Sequence, residues 1–381
     1  MGNRIYLDYN STTPVDRRVV EAMLPAFSEN FGNPSSENHD TGRAALEMVE
    51  AARAQVAGIV GMRTRDVIFT SGATEANNLA IHGMAAGSDG PLRAAVSGTE
   101  HKSVLEPYRQ MEGMRHIVVR GDGMPEMDWL SGIPRGSLDI ISVMAANSET
   151  GVMAPMREIT ELAHEKEALV HCDATQAVGK IPFDAGGIGI DMVTFSSHKI
   201  YGPKGCGALV ATREARRSMA GMVHGGGQED GLRSGTLNVP AIVGFGAACD
   251  IAAGEGLEDA PRQEKLRDGF ESALVEVVPD TTINGKGAPR IPNTSSFRMA
   301  GAIADAVIVN APGIEIATGS ACSSSTMEPS HVMVAMGLDR DAANECLRLS
   351  IGRQTTGDDM EAAVSGLAQA ARFIRSMEVH T

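Results

Sequence analysis

The stretch LDIISVMAANSETGVMAPMREITELAHEKEALVHCDATQ, residues 138–176, decides the fold. Its ends, LDIISVMAA and ALVHCD, are short apolar runs of the kind that form strands buried on both faces. Between them MREITELAHEKE places its apolar residues at helical spacing. Strand, helix and strand in that order form a βαβ unit, which requires the two strands to run parallel. The same alternation extends outward. RAALEMVEAARAQVAGIV (43–60) and TEANNLAIHGMAA (74–86) are predicted helices, and DVIFT, LRAAVSGTEH, HIVVR and DMVTFSS are predicted strands. GCGALVAT (205–212) adds a further strand of antiparallel character. The fold class is therefore α/β with a mostly parallel central sheet. After GGGQEDGLRSGTLNVP the pattern changes to long helices around TSSFRMAG, GIEIATG and ECLRLSIG, with a closing helix over 358–377. The expected division is a large domain over 15–255 and a smaller α/β domain made of 1–14 and 256–381.

Composition narrows the function. The chain has 381 residues, and its 33 Lys plus Arg against 48 Asp plus Glu give a formal net charge of −15, which argues against general binding to nucleic acid or anionic membranes. No apolar run approaches the roughly 20 residues needed to cross a bilayer. Five cysteines, at 172, 206, 249, 322 and 346, form no CxxC pair. An odd count with no secretory leader fits a reducing compartment, so the expected location is cytoplasmic.

Polar residues gather where predicted strands end: TSGATEANN after DVIFT, EH after AAVSGT, NSET after IISVMAA, DATQ after ALVHC and SSHK after DMVTF. Ligands of open parallel sheets bind outside the carboxyl ends of the strands, so the five endings point to one crevice. TSGATEANN suits a phosphate, because a helix beginning near Thr74 offers unpaired amides to an anion; an ordinary glycine turn with a threonine cap explains the stretch equally well. Neither GxGxxG nor GxxxxGK[ST] occurs, so no dinucleotide or triphosphate site is indicated. Lys199 in SSHKIYGPKG is either a solvent-facing lysine or one that forms a Schiff base with a carbonyl cofactor. Asp173 ends a buried strand and needs a cationic or hydrogen-bonding partner, which a pyridinium nitrogen would provide. Cys322 sits in TGSACSSSTMEPS, a polar Gly/Ser segment unlike the apolar surroundings that packed cysteines prefer.

Taken in order, LDYNSTTPV, GNPSS, NSETG, HCDATQAVGK, SSHKIYGPKG, RSGT and TGSACSSS resemble the cysteine desulfurases of iron–sulfur cluster assembly, within the class-V aminotransferases. The resemblance spans essentially the whole chain. It implies an aspartate-aminotransferase-like fold of pyridoxal-phosphate type I, a homodimer, and conversion of L-cysteine to L-alanine with the sulfur left as a persulfide for an acceptor protein such as an iron–sulfur scaffold. It makes Lys199 the Schiff-base lysine, Asp173 the partner of the pyridine nitrogen, Gln176 the partner of the ring hydroxyl, and His101 a proton carrier over the ring. Ala73, Thr74, Ser196 and His198 would hold the phosphate, joined by Thr236 from the other subunit. Arg348, with Asn147 and Ser148, would bind the substrate, and Cys322 would attack its sulfur. Three positions depart from the family pattern: Ser148 stands where a second asparagine is usual, Asp230 where arginine is usual, and Ser11 where alanine is usual. Ser148 keeps open a related lyase or aminotransferase acting on selenocysteine or another amino acid.

Overall fold

The computed structural model describes residues 4–319 and 328–378. The chain opens on a two-residue strand, β1 (Ile5–Tyr6). The central sheet follows, from β2 (Val67–Thr70), β3 (Ala94–Ser97), β4 (Arg115–Ile117), β5 (Ile140–Ser142), β6 (Leu169–Asp173), β7 (Met192–Ser196) and β8 (Gly207–Ala211). Their spatial order is β2-β8-β7-β6-β5-β3-β4, and only β8, paired antiparallel with both β2 and β7, runs against the rest. The helix Met156–Glu165 links β5 to β6, as the opening stretch requires.

Both faces of the sheet are covered, which explains why its strands read as continuous apolar runs. Successive side chains of a strand point to opposite faces. Val193 and Phe195 accordingly join the cluster containing Val49 and Phe245, while Met192 joins the one containing Leu79 and Val104.

The later part of the chain contributes β9 (Thr281–Ile283), β10 (Thr294–Met299), β11 (Ile314–Glu315), β12 (Ala317–Thr318) and β13 (Cys346–Ser350). Four of these form an antiparallel sheet, β12-β13-β10-β9. Its core of Phe270, Leu274, Phe297, Leu347, Leu349 and Leu367 also takes in Leu7 from the N-terminal segment. The single strand expected over GIEIATG divides in two because different partners claim its halves. β1 pairs parallel with β11, whereas β12 pairs with β13.

The site is positioned by strand polarity. Since β2, β3, β5, β6 and β7 share one direction, their polar endings emerge at one edge of the sheet. The helix Ala73–Gly87 starts at the same edge. Its N-cap, Gly72, has φ 154°, a conformation open to glycine. The close approach of β8 also requires glycine at 207, where a Cβ would lie 2.6 Å from the Gly72 Cα.

Candidate active site

A cavity of about 580 Å³ opens at this edge and is lined by Lys199, Asp173, Gln176, His101, Thr74 and Arg348, together with Ala73, Ser196, His198 and Ser148. A second cavity of about 160 Å³ adjoins it and shares His101, Ser148 and Arg348.

Lys199 lies in the single helical turn that follows β7. Its Nζ donates to the main-chain oxygens of Asn10 (2.5 Å) and Ser11 (2.7 Å), so it is turned inward to the N-terminal segment. Asp173 is buried at the end of β6 and accepts from Asn77 Nδ2 (2.9 Å) and the Thr175 amide (3.0 Å). Asn77 also donates to Ser103 Oγ (2.8 Å), which lies 2.7 Å from His101 Nδ1. One asparagine thus ties the buried carboxylate to the residue that steadies the imidazole. His101 caps the helix Lys102–Arg109 with Nδ1 accepting from the Ser103 amide, which leaves the proton of the neutral ring on Nε2.

The helix Ala73–Gly87 has no side-chain cap, so its first amides remain available to an anion. Ser196 and His198 line the cavity on the same side. Burial and the nearby Lys199 and Lys204 push the His198 imidazole down to about 4, making it neutral at pH 7. An uncapped helix start, an amine and a buried carboxylate are the donor set that a phosphorylated aromatic aldehyde with a basic ring nitrogen needs.

Arg348 is buried on β13 and reaches Asp8 Oδ1 (2.6 Å), Ser11 Oγ (2.8 Å) and the main-chain oxygen of Ser148 (3.1 Å). Its Nε is buried without a hydrogen-bond partner among the described residues. Ser148 therefore serves Arg348 through its backbone, a contact that does not depend on the side chain at that position. Ser11, a minor replacement by sequence, is in direct contact with the guanidinium.

Not every residue expected at the site lines it. Asn147 does not line either cavity: its Oδ1 accepts from the amides of Glu149 and Thr150 (both 2.9 Å) and its Nδ2 donates to the Thr99 carbonyl (3.0 Å), which commits the side chain to the turn. Thr236 is exposed and lies outside this cavity of its own chain. Asp230 is also outside it, four-fifths exposed and ion-paired with Arg216. Cys322 lies outside the described residues. Cys172, Cys206, Cys249 and Cys346 are all buried and unbridged.

Residues that the sequence reading missed are Asn77, Asn10, Lys180 and the Glu75–Arg233 pair (2.8 Å), which ties the RSGT loop to the first turn of the helix after Gly72. Only Asn77 carried a signal, since it falls one helical turn after the expected phosphate cradle.

The aminotransferase class-V family model matches residues 5–363, and the chain belongs to that family. Within it the chain belongs with the cysteine desulfurases. It is 41% identical to cysteine desulfurase IscS of Anaeromyxobacter sp. (strain Fw109-5), over 98% of this chain and 94% of that one. Among solved structures it resembles a NifS-like protein (TM-score 0.89, 33% identity, 97% of this chain and 100% of that one). Another is SspA in complex with cysteine (TM-score 0.80, 31% identity, 91% and 98%). The α/β fold with a mostly parallel sheet read from the sequence is the fold of these proteins.

Proposed function

We propose that this chain is a pyridoxal 5′-phosphate-dependent cysteine desulfurase that converts L-cysteine to L-alanine. The observation that carries this reading is the convergence of Lys199, Asp173, His101, an uncapped helix start and Arg348 on one cavity. The cofactor, when bound, supplies an electron sink for charge developing at the substrate's α carbon. Asp173, held as an acceptor by Asn77 and Thr175, keeps a ring nitrogen protonated. Lys199 provides the tethering amine and a proton-carrying Nζ, and His101 offers a second exchangeable proton near neutral pH. Gln176 meets the ring hydroxyl, and the helix start with Ser196 and His198 holds the phosphate. Arg348 orients the substrate carboxylate, and its Nε, unpartnered among the described residues, supports that role.

Sulfur leaves as the substrate's C–S bond breaks and an S–S bond forms at Cys322. Cysteine plus the enzyme thiol thus become alanine plus enzyme persulfide, with atoms and electrons balanced. The acceptor is a sulfur-carrier or iron–sulfur scaffold protein. The working form is a homodimer in which Thr236 serves the partner's cavity, its exposure outside its own cavity favouring this arrangement. The compartment is the cytoplasm, and the domain division is 15–255 against 1–14 with 256–381, consistent with an apolar core around Phe270 and Phe297 separate from the two that flank the central sheet. The test is incubation with L-cysteine, with alanine and protein-bound persulfide measured together. Equal amounts before turnover are expected, and C322S is expected to lose both while keeping the cofactor's visible band. Alanine without persulfide overturns the reading.

A further inference from the structure

Lys180 is a partly buried lysine that the sequence leaves without a role. Its Nζ donates to Asn10 Oδ1 (3.0 Å) and, in a short contact, to Gln176 Oε1. It forms no ion pair with a carboxylate among the described residues. Burial and the neighbouring cations Lys199 and Arg348 hold its pKa well below that of an ordinary lysine. A cation kept there without a counter-charge is costly, so its hydrogen bonds must be what it contributes.

We propose that Lys180 is a positioning residue that locks the Gln176 carboxamide so that its nitrogen, and not its oxygen, is presented to the cofactor cavity. A carboxamide can be turned end for end, and only its neighbours decide which end faces where. Lys180 Nζ donates to Gln176 Oε1, so the end of the carboxamide it holds is the oxygen. The amide nitrogen is thereby turned the other way, where one of its hydrogens goes to the Asn10 carbonyl (3.0 Å) and the second has no acceptor among the described residues. Lys180 cannot swing aside, because the Asn10 side chain that receives it is held by Asn293 Nδ2 (3.1 Å) and Thr294 Oγ1 (2.8 Å). Gln176 lines the cavity, so the lock determines that a donor meets an oxygen on the bound ring.

This inference rests on the cofactor reading above, and the test separates the two. Holoenzyme prepared with pyridoxal 5′-phosphate is compared with K180M, Q176A and the double variant for cofactor dissociation constant and position of the visible band. Loss of a fixed donor is expected to weaken cofactor binding about tenfold in K180M and to move the band. In the Q176A background the same change is expected to add less than about twofold, since the two side chains act as one unit. K180R retains a donor-only side chain and is expected to stay within about twofold of wild type. Equal loosening by K180M in both backgrounds, an unchanged K180M, or a tenfold loss in K180R each overturns the lock. A wild type that takes up no pyridoxal 5′-phosphate overturns the functional reading, and this inference with it.

Discussion

The two sides of the cavity are built differently. The side holding Lys199, Asp173, Ser196 and Gly72–Thr74 comes from short segments at strand ends of one sheet. The side holding Arg348, Ser11 and Ser148 joins three segments that are remote in sequence, and its bonds run across 200 to 340 residues. Electrostatics follow the same division. On the first side the ionisable groups are settled: Asp173 has two donors and His198 is held neutral. On the second side Arg348 keeps an Nε uncommitted among the described residues, and the buried Glu149 is raised to about 7, first by burial and against the pull of Ser330, Arg348 and His101. A preset half fits a resident group, and a half with a donor in reserve fits a molecule that comes and goes.

The sharpest break between the halves is expected from K199A, which removes the tether. Alanine formation should fall by at least about a thousandfold and no visible band should survive dialysis. R348A should raise the KM for cysteine about a hundredfold while the band persists, because truncating one member of a buried charge pair costs about 2–5 kcal/mol. Loss of the band in R348A would mean that the halves are not separable. Glu149 gives a pH test. Its raised pKa means that the fold retains a proton which the unfolded carboxyl, near 4.5, releases. The stabilisation is complete below that value and disappears as pH rises through about 7. E149Q, neutral throughout, should therefore gain on wild type by about 3 kcal/mol between pH 4.5 and 8 in denaturant unfolding. A constant difference across that range would assign Glu149 an ordinary carboxyl. The smallest effect is expected from D230A: the Arg216–Asp230 pair is exposed at the aspartate, so stability should change by less than about 0.5 kcal/mol.

The same contrast governs what was legible in the sequence. The parallel sheet and the residues at its strand ends could be read because each signal is local: an apolar run, then a polar group within a few positions. Lys199, Asp173 and the helix after Gly72 belong to this kind. Arg348 entered through family resemblance, since an arginine inside an apolar strand signals only that it needs a partner. Asn10 and Lys180 gave no signal, and Ser11 stood out only as a departure from the family pattern, because their meaning lies in groups brought together by tertiary packing. Asn147 misled for the converse reason. It directly precedes Ser148 in the chain, but its side chain is consumed by the turn that puts Ser148 there.

Asn10 has a consequence for how the protein is made. Its amide is bound to the Ser350 hydroxyl, 340 residues later, and its side chain to Asn293 and Thr294, so its partners are made long after it. The carbonyl that receives Lys199 is thus not fixed until residue 350 has been made. A growing chain can complete its large sheet early, but it cannot assemble a working reaction chamber before β13 has emerged.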